Sequence, residues 1–265
     1  MPKRDRELEA CSQAHYDDAC YYDDTYRGRA EDAAYYLDLA LRLRPRGPIL
    51  EYGVGGGRIA LPMARHGIEV VGVDLSRPML EAFREALAKE PAAIRKRVTL
   101  KQGDMRRVRL RRKFPLVLCT FNTILHMYTR EDMERFLAGV KSHLAPGGTF
   151  VCDLSMPMPE DLTRTFDKAM RTPDFVHPTL GKVRYQERFQ YETLRQILFV
   201  SMEFSAIQSE LELVTPLAHR QFFPQEFEML LHYNGFRITK RHGDFEGAPL
   251  GNTSETMIFH AKARS

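Results

Sequence analysis

The chain has 265 residues, 43% of them hydrophobic, 28% charged and 10% aromatic, with a formal net charge of +4. Such a composition excludes wholesale disorder, and no apolar run approaches the roughly 18 residues of a membrane-spanning helix. Four cysteines at 11, 20, 119 and 152 form no CxxC pair, so neither a metal site nor a disulfide framework is expected, and the charged first ten residues lack a signal peptide's apolar stretch, which points to a cytoplasmic globular protein.

Residues 1–45 interleave aromatics with acids, as in His15-Tyr16-Asp17-Asp18 and Tyr21-Tyr22-Asp23-Asp24-Thr25-Tyr26, and are expected to form a cap segment. From 46 to 156 short apolar runs alternate with amphipathic segments. Residues 48–53 and 69–74 read as buried strands, being apolar, β-branched and ended by glycine or acid. Residues 97–102, 114–120 and 149–154 continue the series. One helix starts at Ser76 and buries Leu80, Phe83 and Leu87. Another starts at Thr129 and repeats Met133, Phe136, Leu137, Val140 and Leu144, with Gly147-Gly148 as its stop. Strands alternating with helices imply right-handed βαβ units, a parallel sheet and an α/β fold. After Leu154 the pattern changes. Prolines stand at 157, 159, 173 and 178, followed by period-two runs at 183–191 and 198–204 and a hint of a third strand at Leu211 and Leu213. Residues 157–216 therefore read as an inserted antiparallel β lid. Pro224 opens a helix that Gly235 closes, and 236–239 and 256–259 are two closing strands, so 217–265 rejoins the core.

Leu50-Glu51-Tyr52-Gly53-Val54-Gly55-Gly56-Gly57-Arg58 leaves a buried strand and enters a helix. Glycines at 53, 55 and 57 permit a tight turn and close approach of a ligand to a helix N-terminus. Glu51, at the strand's carboxyl end, would repel a pyrophosphate and attract an ammonium or sulfonium. Asp74 ends the next strand, where an acid can take two ribose hydroxyls. Gly103-Asp104-Met105 puts a third acid at the same sheet edge. Three acids and a glycine loop describe a pocket for a cationic nucleoside. A dinucleotide loop is disfavoured, since Arg58 falls where GxGxxG needs its third glycine, and no GKS or GKT follows.

These motifs, with Leu144-Ala145-Pro146-Gly147-Gly148, resemble those of class I S-adenosylmethionine-dependent methyltransferases over residues 48–154. The resemblance implies a Rossmann-like seven-stranded sheet of order 3-2-1-4-5-7-6, and S-adenosyl-L-methionine as cofactor. It also implies that the glycine loop lies against the methionine moiety, with Asp74 on the ribose and Leu75 beside the adenine face. Asp104 and the Met105 backbone would meet the adenine edge. In that fold the segment after the fourth strand, Cys119-Thr120-Phe121-Asn122-Thr123-Ile124-Leu125-His126, faces the sulfonium. Thr120 then counts among the cofactor contacts, and Phe121 and Asn122 are walls of the site. His126 reads either as a general base or as a helix-start histidine bonded to backbone. The Asn/Asp-Pro-Pro-Tyr/Phe motif of amino-methyltransferases acting on DNA is not found there. Cys119 and Cys152 read as buried strand residues.

The Tyr-Asp-x-x-Tyr spacing resembles small-molecule N-methyltransferases, including the glycine/sarcosine and amino-sugar types. By that likeness Tyr22 contacts the cofactor, Tyr26 approaches the methyl group, and Arg29 meets the cofactor carboxylate. Near the insert's end, Arg220 matches a grip for an acceptor carboxylate or phosphate, or a structural ion pair, and His219 a base. The acceptor is then a small-molecule amine or hydroxyl, with monomer and homodimer both open. A rival reading uses the basic run 95–113 as an RNA-binding face of an RNA methyltransferase. Val98, Leu100, Val108 and Leu110 break that run, as a strand and crossover with one solvated face would.

Overall fold

The computed structural model describes residues 5–43 and 47–264; the expected boundary at 45/46 and the first four residues of the charged start lie outside them. Three helices come first, α1 (Arg6–Ala14), α2 (Ala19–Tyr26) and α3 (Glu31–Leu43). The alternating region follows as β1 (Ile49–Tyr52), α4 (Ala60–Arg65), β2 (Val70–Asp74), α5 (Arg77–Ala88), α6 (Ala92–Arg95), β3 (Val98–Gln102) and β4 (Phe114–Cys119). A 3-10 turn (Thr123–His126), α7 (Arg130–His143) and β5 (Leu144–Ser155) complete it. Then come α8 (Pro159–Leu162) and five strands, β6 (Met170–Arg171), β7 (Phe175–His177), β8 (Gly181–Glu192), β9 (Ile197–Ala206) and β10 (Glu212–Arg220). The last elements are α9 (Pro224–Tyr233), β11 (Phe236–His242) and β12 (Thr256–Ala263). Among the described residues no helix is long and apolar enough to cross a membrane.

The chain divides into two compact units, Arg29–Met156 with Phe222 onward, and the residues through Gly28 with Pro157–Gln221. In the larger unit seven strands run β11-β12-β5-β4-β1-β2-β3, with β12 antiparallel to β5 and β11 antiparallel to β12. That is the expected order once the inserted strands are left out of the count. Both faces of the sheet are covered, so the central strands are apolar throughout, and β1 is buried at all four positions. One face packs Phe136, Leu137, Phe227 and Leu231 of α7 and α9. The other packs Tyr36, Met63, Leu80 and Phe83 of α3, α4 and α5. Each such side chain, fully withdrawn from water, contributes about 1.5–3 kcal/mol. Ser76 caps α5 by accepting from Met79 N–H at 3.3 Å, and Thr129 caps α7 by accepting from Asp132 N–H at 3.1 Å. α7 ends at His143, short of the expected glycine stop: Leu144 is already extended at ψ 134°. Pro146 is the physical reason, because it bars helical geometry at Ala145 and cannot donate to the ladder.

Two boundaries differ from the sequence expectation. α3 belongs to the sheet unit and not to a cap, since Tyr36, Leu39 and Ala40 are buried among the sheet's own apolar residues. The smaller unit reaches Gln221 because β10 stays paired with β9 as far as Arg220. Its sheet is wholly antiparallel, ordered β10-β9-β8-β6 with β7 beside β8, and α1 lies against β10. The short β6 and β7 escape the period-two pattern, being too brief to alternate. Asp18 caps α2 by accepting from Tyr21 N–H at 2.9 Å.

Register decides what meets at the carboxyl edge of the larger sheet. Tyr52 pairs with Val73 and Cys119, so the glycine loop, Asp74 and Thr120 all emerge together. Gln102 pairs with Asp74, and Gly103 N–H donates to Asp74 O at 2.8 Å, which brings Asp104 to the same edge.

Candidate functional site

Gly53, Gly55 and Gly57 all have positive φ, at 69°, 52° and 86°. A Cβ on Gly57 would lie 2.2 Å from the Phe83 ring, and one on Gly53 2.4 Å from Thr123 Oγ1. Packing therefore requires those two glycines regardless of any ligand, whereas Gly55 has only Met79 Cε at 3.2 Å nearby. The loop is held open by Asp74, whose Oδ2 accepts from Gly55 N–H and Oδ1 from Ser76 N–H, each at 2.8 Å. Burial pushes the Asp74 carboxyl above its ordinary value, opposed by these backbone donors. Each oxygen keeps a lone pair for a further donor. The next residue, Leu75, is 43% exposed, an apolar surface left at the strand end.

Glu51 is 1% exposed. Its Oε1 accepts from the Thr120 hydroxyl at 3.1 Å, and its Oε2 has no partner. Burial, opposed by Thr120 and Arg58, lifts the carboxyl to about 8. Thr120 thus serves Glu51 directly. An acid in this state keeps its proton near neutrality until a cation arrives to replace it.

Past β4 the backbone leaves the ordinary strand-to-helix geometry. Phe121 and Asn122 are both left-handed, at φ 53° and 63°, a conformation costing about 1–3 kcal/mol per non-glycine residue. Asp153, 3% exposed, clamps the turn: its Oδ1 accepts from Phe121 N–H at 2.9 Å and from the Tyr36 hydroxyl at 2.5 Å. Burial raises the Asp153 carboxyl to about 6 against the pull of those donors. Asn122 Oδ1 accepts from Ser155 N–H at 2.7 Å. Two guanidiniums lie over the Phe121 ring, Arg58 at 4.8 Å and Arg29 at 5.1 Å from its centroid. Arg58 forks onto the buried Asp32 at 2.5 and 2.6 Å and donates to Arg29 O at 3.0 Å. The lone acid in Val151-Cys152-Asp153-Leu154 was the available signal for this network. Phe121, Asn122 and Arg29, singled out separately in the sequence, are here one assembly.

A family model described as a methyltransferase domain matches residues 49–148. Over 246 residues the chain is 30% identical to the dTDP-3-amino-3,4,6-trideoxy-alpha-D-glucopyranose N,N-dimethyltransferase of Streptomyces venezuelae, spanning 89% of this chain and 94% of that relative. The chain is a class I S-adenosylmethionine-dependent methyltransferase. Solved structures agree. The CcbJ methyltransferase from Streptomyces caelestis superimposes with a TM-score of 0.79 at 25% identity, over 89% of this chain and 97% of that one. An S-adenosylmethionine-bound amino pentose methyltransferase from Micromonospora echinaspora shares the fold with a TM-score of 0.67 at 22% identity, over 92% and 96% of the two chains.

S-adenosyl-L-methionine is the cofactor of this methyltransferase, and the sheet edge fits it. The unpartnered, buried Glu51 Oε2 lacks a cationic donor, and Asp74 retains acceptor capacity for hydroxyls. Asp104 at the same edge is already engaged. Burial works to raise its carboxyl, but Arg106, at 2.8–3.1 Å, and Arg107 hold it below the ordinary range. Arg106 also reaches Asp132 at 3.2 Å. Met105 packs partly into the core beside it. Other members of the basic run are spent on the fold. Arg97 donates to Ala64 O at 3.4 Å and Lys113 to Ser142 O at 2.8 Å, while Leu110 N–H donates to His143 Nε2 at 3.0 Å.

His126 ends the 3-10 turn with its Nδ1 3.0 Å from the Tyr128 hydroxyl. Tyr22, Tyr26, His219 and Arg220 belong to the smaller unit. Tyr22 and Tyr26 pack ring to ring at 4.7 Å, and the Tyr26 hydroxyl is 3.4 Å from Nε2 of the buried His15. Nothing in the sequence around His15 marks this contact. In β10, the carbonyl of His219 accepts from the Gln221 side chain at 3.2 Å, and Arg220 donates to the Gln221 carbonyl. Among the described residues no three His, Cys, Asp or Glu side chains gather to hold a metal ion.

Proposed function

We propose that this enzyme N-methylates an amino group on a small, sugar-containing acceptor. The observation that carries it is the likeness, over 94% of the relative's length, to an amino-sugar N,N-dimethyltransferase. When bound, S-adenosyl-L-methionine supplies a carbon activated by its sulfonium, so the protein's task is chiefly to hold an acceptor aligned and dry. Glu51 receives the cationic end of the cofactor, Asp74 its ribose, and Leu75 its adenine face. Asp104 and the Met105 backbone lie at the adenine edge. Thr120 keeps Glu51 aimed, and Arg29, steered by Phe121, takes a carboxylate. Tyr22 contacts the cofactor and Tyr26 the reacting group. Phe121 and Asn122 wall the acceptor site, held rigid by Asp153. Arg220 meets an anionic group of the acceptor, and His126 or His219 removes a proton where the amine carries one.

Calorimetry with S-adenosylhomocysteine tests the cofactor assignments. Wild type is expected to bind, and Gly55→Val and Asp74→Ala to bind at least tenfold more weakly; equal binding overturns them. A labelled-methyl screen of amino sugars, simple amines and phenols tests the acceptor class, and transfer confined to phenols refutes N-methylation. At saturating cofactor, unchanged turnover in Tyr26→Phe, His126→Ala or His219→Ala removes that residue from catalysis.

A further inference from the structure

The smaller unit carries an acid on an otherwise apolar and aromatic sheet face. Side chains alternate along β8, so Val183, Tyr185, Glu187 and Phe189 share one side. Across the ladder they oppose Ala206, Phe204, Met202 and Val200 of β9. Val183, Met202 and Phe204 form a buried cluster that also takes Tyr21, Phe175 and Tyr185. Tyr185 and Phe204 rings are 4.8 Å apart, and Tyr21 meets Phe204 edge-on at 5.1 Å. Glu187 stands amid these rings and accepts a hydrogen bond from the Tyr185 hydroxyl. Its charge acts on the Tyr21 and Tyr185 phenols, and Tyr26 is close enough to Tyr185 to do the same.

What Glu187 lacks is a cation. On the opposite face of the same sheet Glu203 is matched by Arg188 at 2.9 Å, and at the strand's end Glu192 is matched by Arg195. Among the described residues no Lys, Arg or His pairs with Glu187. The two histidines in the surrounding aromatic groups do not supply charge either, since burial lowers both, His15 to about 4. Tyr21, Tyr185 and Glu187 are each partly exposed and so within reach of solutes. A carboxylate with phenols and apolar rings beside it is the chemistry that recognises an organic ammonium, through charge pairing against a π-rich apolar wall.

We propose that Glu187, with Tyr21, Tyr26 and Tyr185 around it, is a binding subsite for an organic ammonium group. Its identification with the acceptor's amine rests on the N-methylation reading above; the subsite itself does not. No proton transfer is assigned to Glu187, which selects the cationic form in which alkyl amines exist near neutral pH.

Tetramethylammonium, which cannot accept a methyl group, is the probe, with tert-butanol as its neutral counterpart of similar shape. Saturation-transfer NMR on the full chain is expected to show binding of tetramethylammonium and none of tert-butanol. Glu187→Gln is expected to weaken it at least tenfold with unchanged circular dichroism and unchanged S-adenosylhomocysteine affinity, and Glu187→Asp, which pulls the carboxylate back, to weaken it too. Undiminished binding in both variants, or equal binding of tert-butanol, overturns the subsite. Transfer to amines without any Glu187 dependence sinks the identification of the subsite with the acceptor's amine and leaves N-methylation standing. Tetramethylammonium bound through Glu187, with no amine methylated, does the reverse.

Discussion

Glu51→Gln should make the protein more stable and the enzyme worse, and the size of the first effect follows from where the carboxyl titrates. Its ordinary value is 4.5 and burial lifts it to about 8. A carboxyl raised on folding favours the folded state fully below its unfolded value, and that benefit is lost as pH climbs toward the folded one. At about 1.4 kcal/mol per pH unit, wild type gives up under about 1 kcal/mol at pH 5, roughly 3 at pH 7, and on the order of 5 above pH 8. Glutamine keeps the oxygen that accepts from Thr120 and cannot ionise. Urea unfolding followed by circular dichroism, with S-adenosylhomocysteine left out, should therefore show the two proteins nearly equal at pH 5 and the variant ahead by about 3–5 kcal/mol at pH 9. Cofactor affinity should move the other way, falling tenfold or more. A stability difference that does not grow with pH, or a variant less stable at pH 9, would refute the account of Glu51 as an unpartnered buried acid.

Gly57→Ala and Gly67→Ala separate strain from crowding. Both positions are left-handed, at φ 86° and 89°, but nothing lies within 4 Å of a Cβ on Gly67. Alanine should cost about 1–2 kcal/mol at 67 and roughly 1–3 kcal/mol more at 57 from collision with Phe83; equal losses in urea melts would show that Phe83 simply yields. Arg58→Ala strands Asp32, which is 1% exposed, and should cost about 3–5 kcal/mol. Arg58→Met with Asp32→Leu should recover most of it, and failure to recover would mean that the Phe121 stack is what matters. For the basic run, filter binding should find only weak RNA retention with a shallow dependence on salt. A steep slope, of several phosphates' worth, would restore a nucleic-acid role.

The sheet was legible in the sequence because buried parallel strands are written as uninterrupted apolar runs and their helices carry explicit starts, Ser76 and Thr129 among them. Glu51 and Asp74 were legible for a related reason, since an acid closing such a run marks the sheet's carboxyl edge, and Asp104 by its place just after the third strand. Long-range pairing left no such mark. That Tyr36 and Asp153 would pin Phe121 and Asn122 in a left-handed turn, and that α3 would leave the cap for the sheet, depend on contacts between distant segments. Glu187 was hidden differently. In a period-two run it merely looks like a lapse in alternation, and only the rings opposite it show what the lapse is for.

β12 follows β11 in the chain yet lies between it and β5. During synthesis, then, β11 emerges with nowhere to dock, and the β5 edge stays an open template until β12 arrives to zip against both. Such an interval invites pairing with another nascent chain. β11 carries Arg237, Lys240 and Arg241 exposed along a strand with one fully buried apolar side chain, Phe236, whereas β12 buries Met257, Ile258, Phe259 and Ala261. The waiting strand is the soluble one, and the adhesive one is made last and closes the gap as it appears.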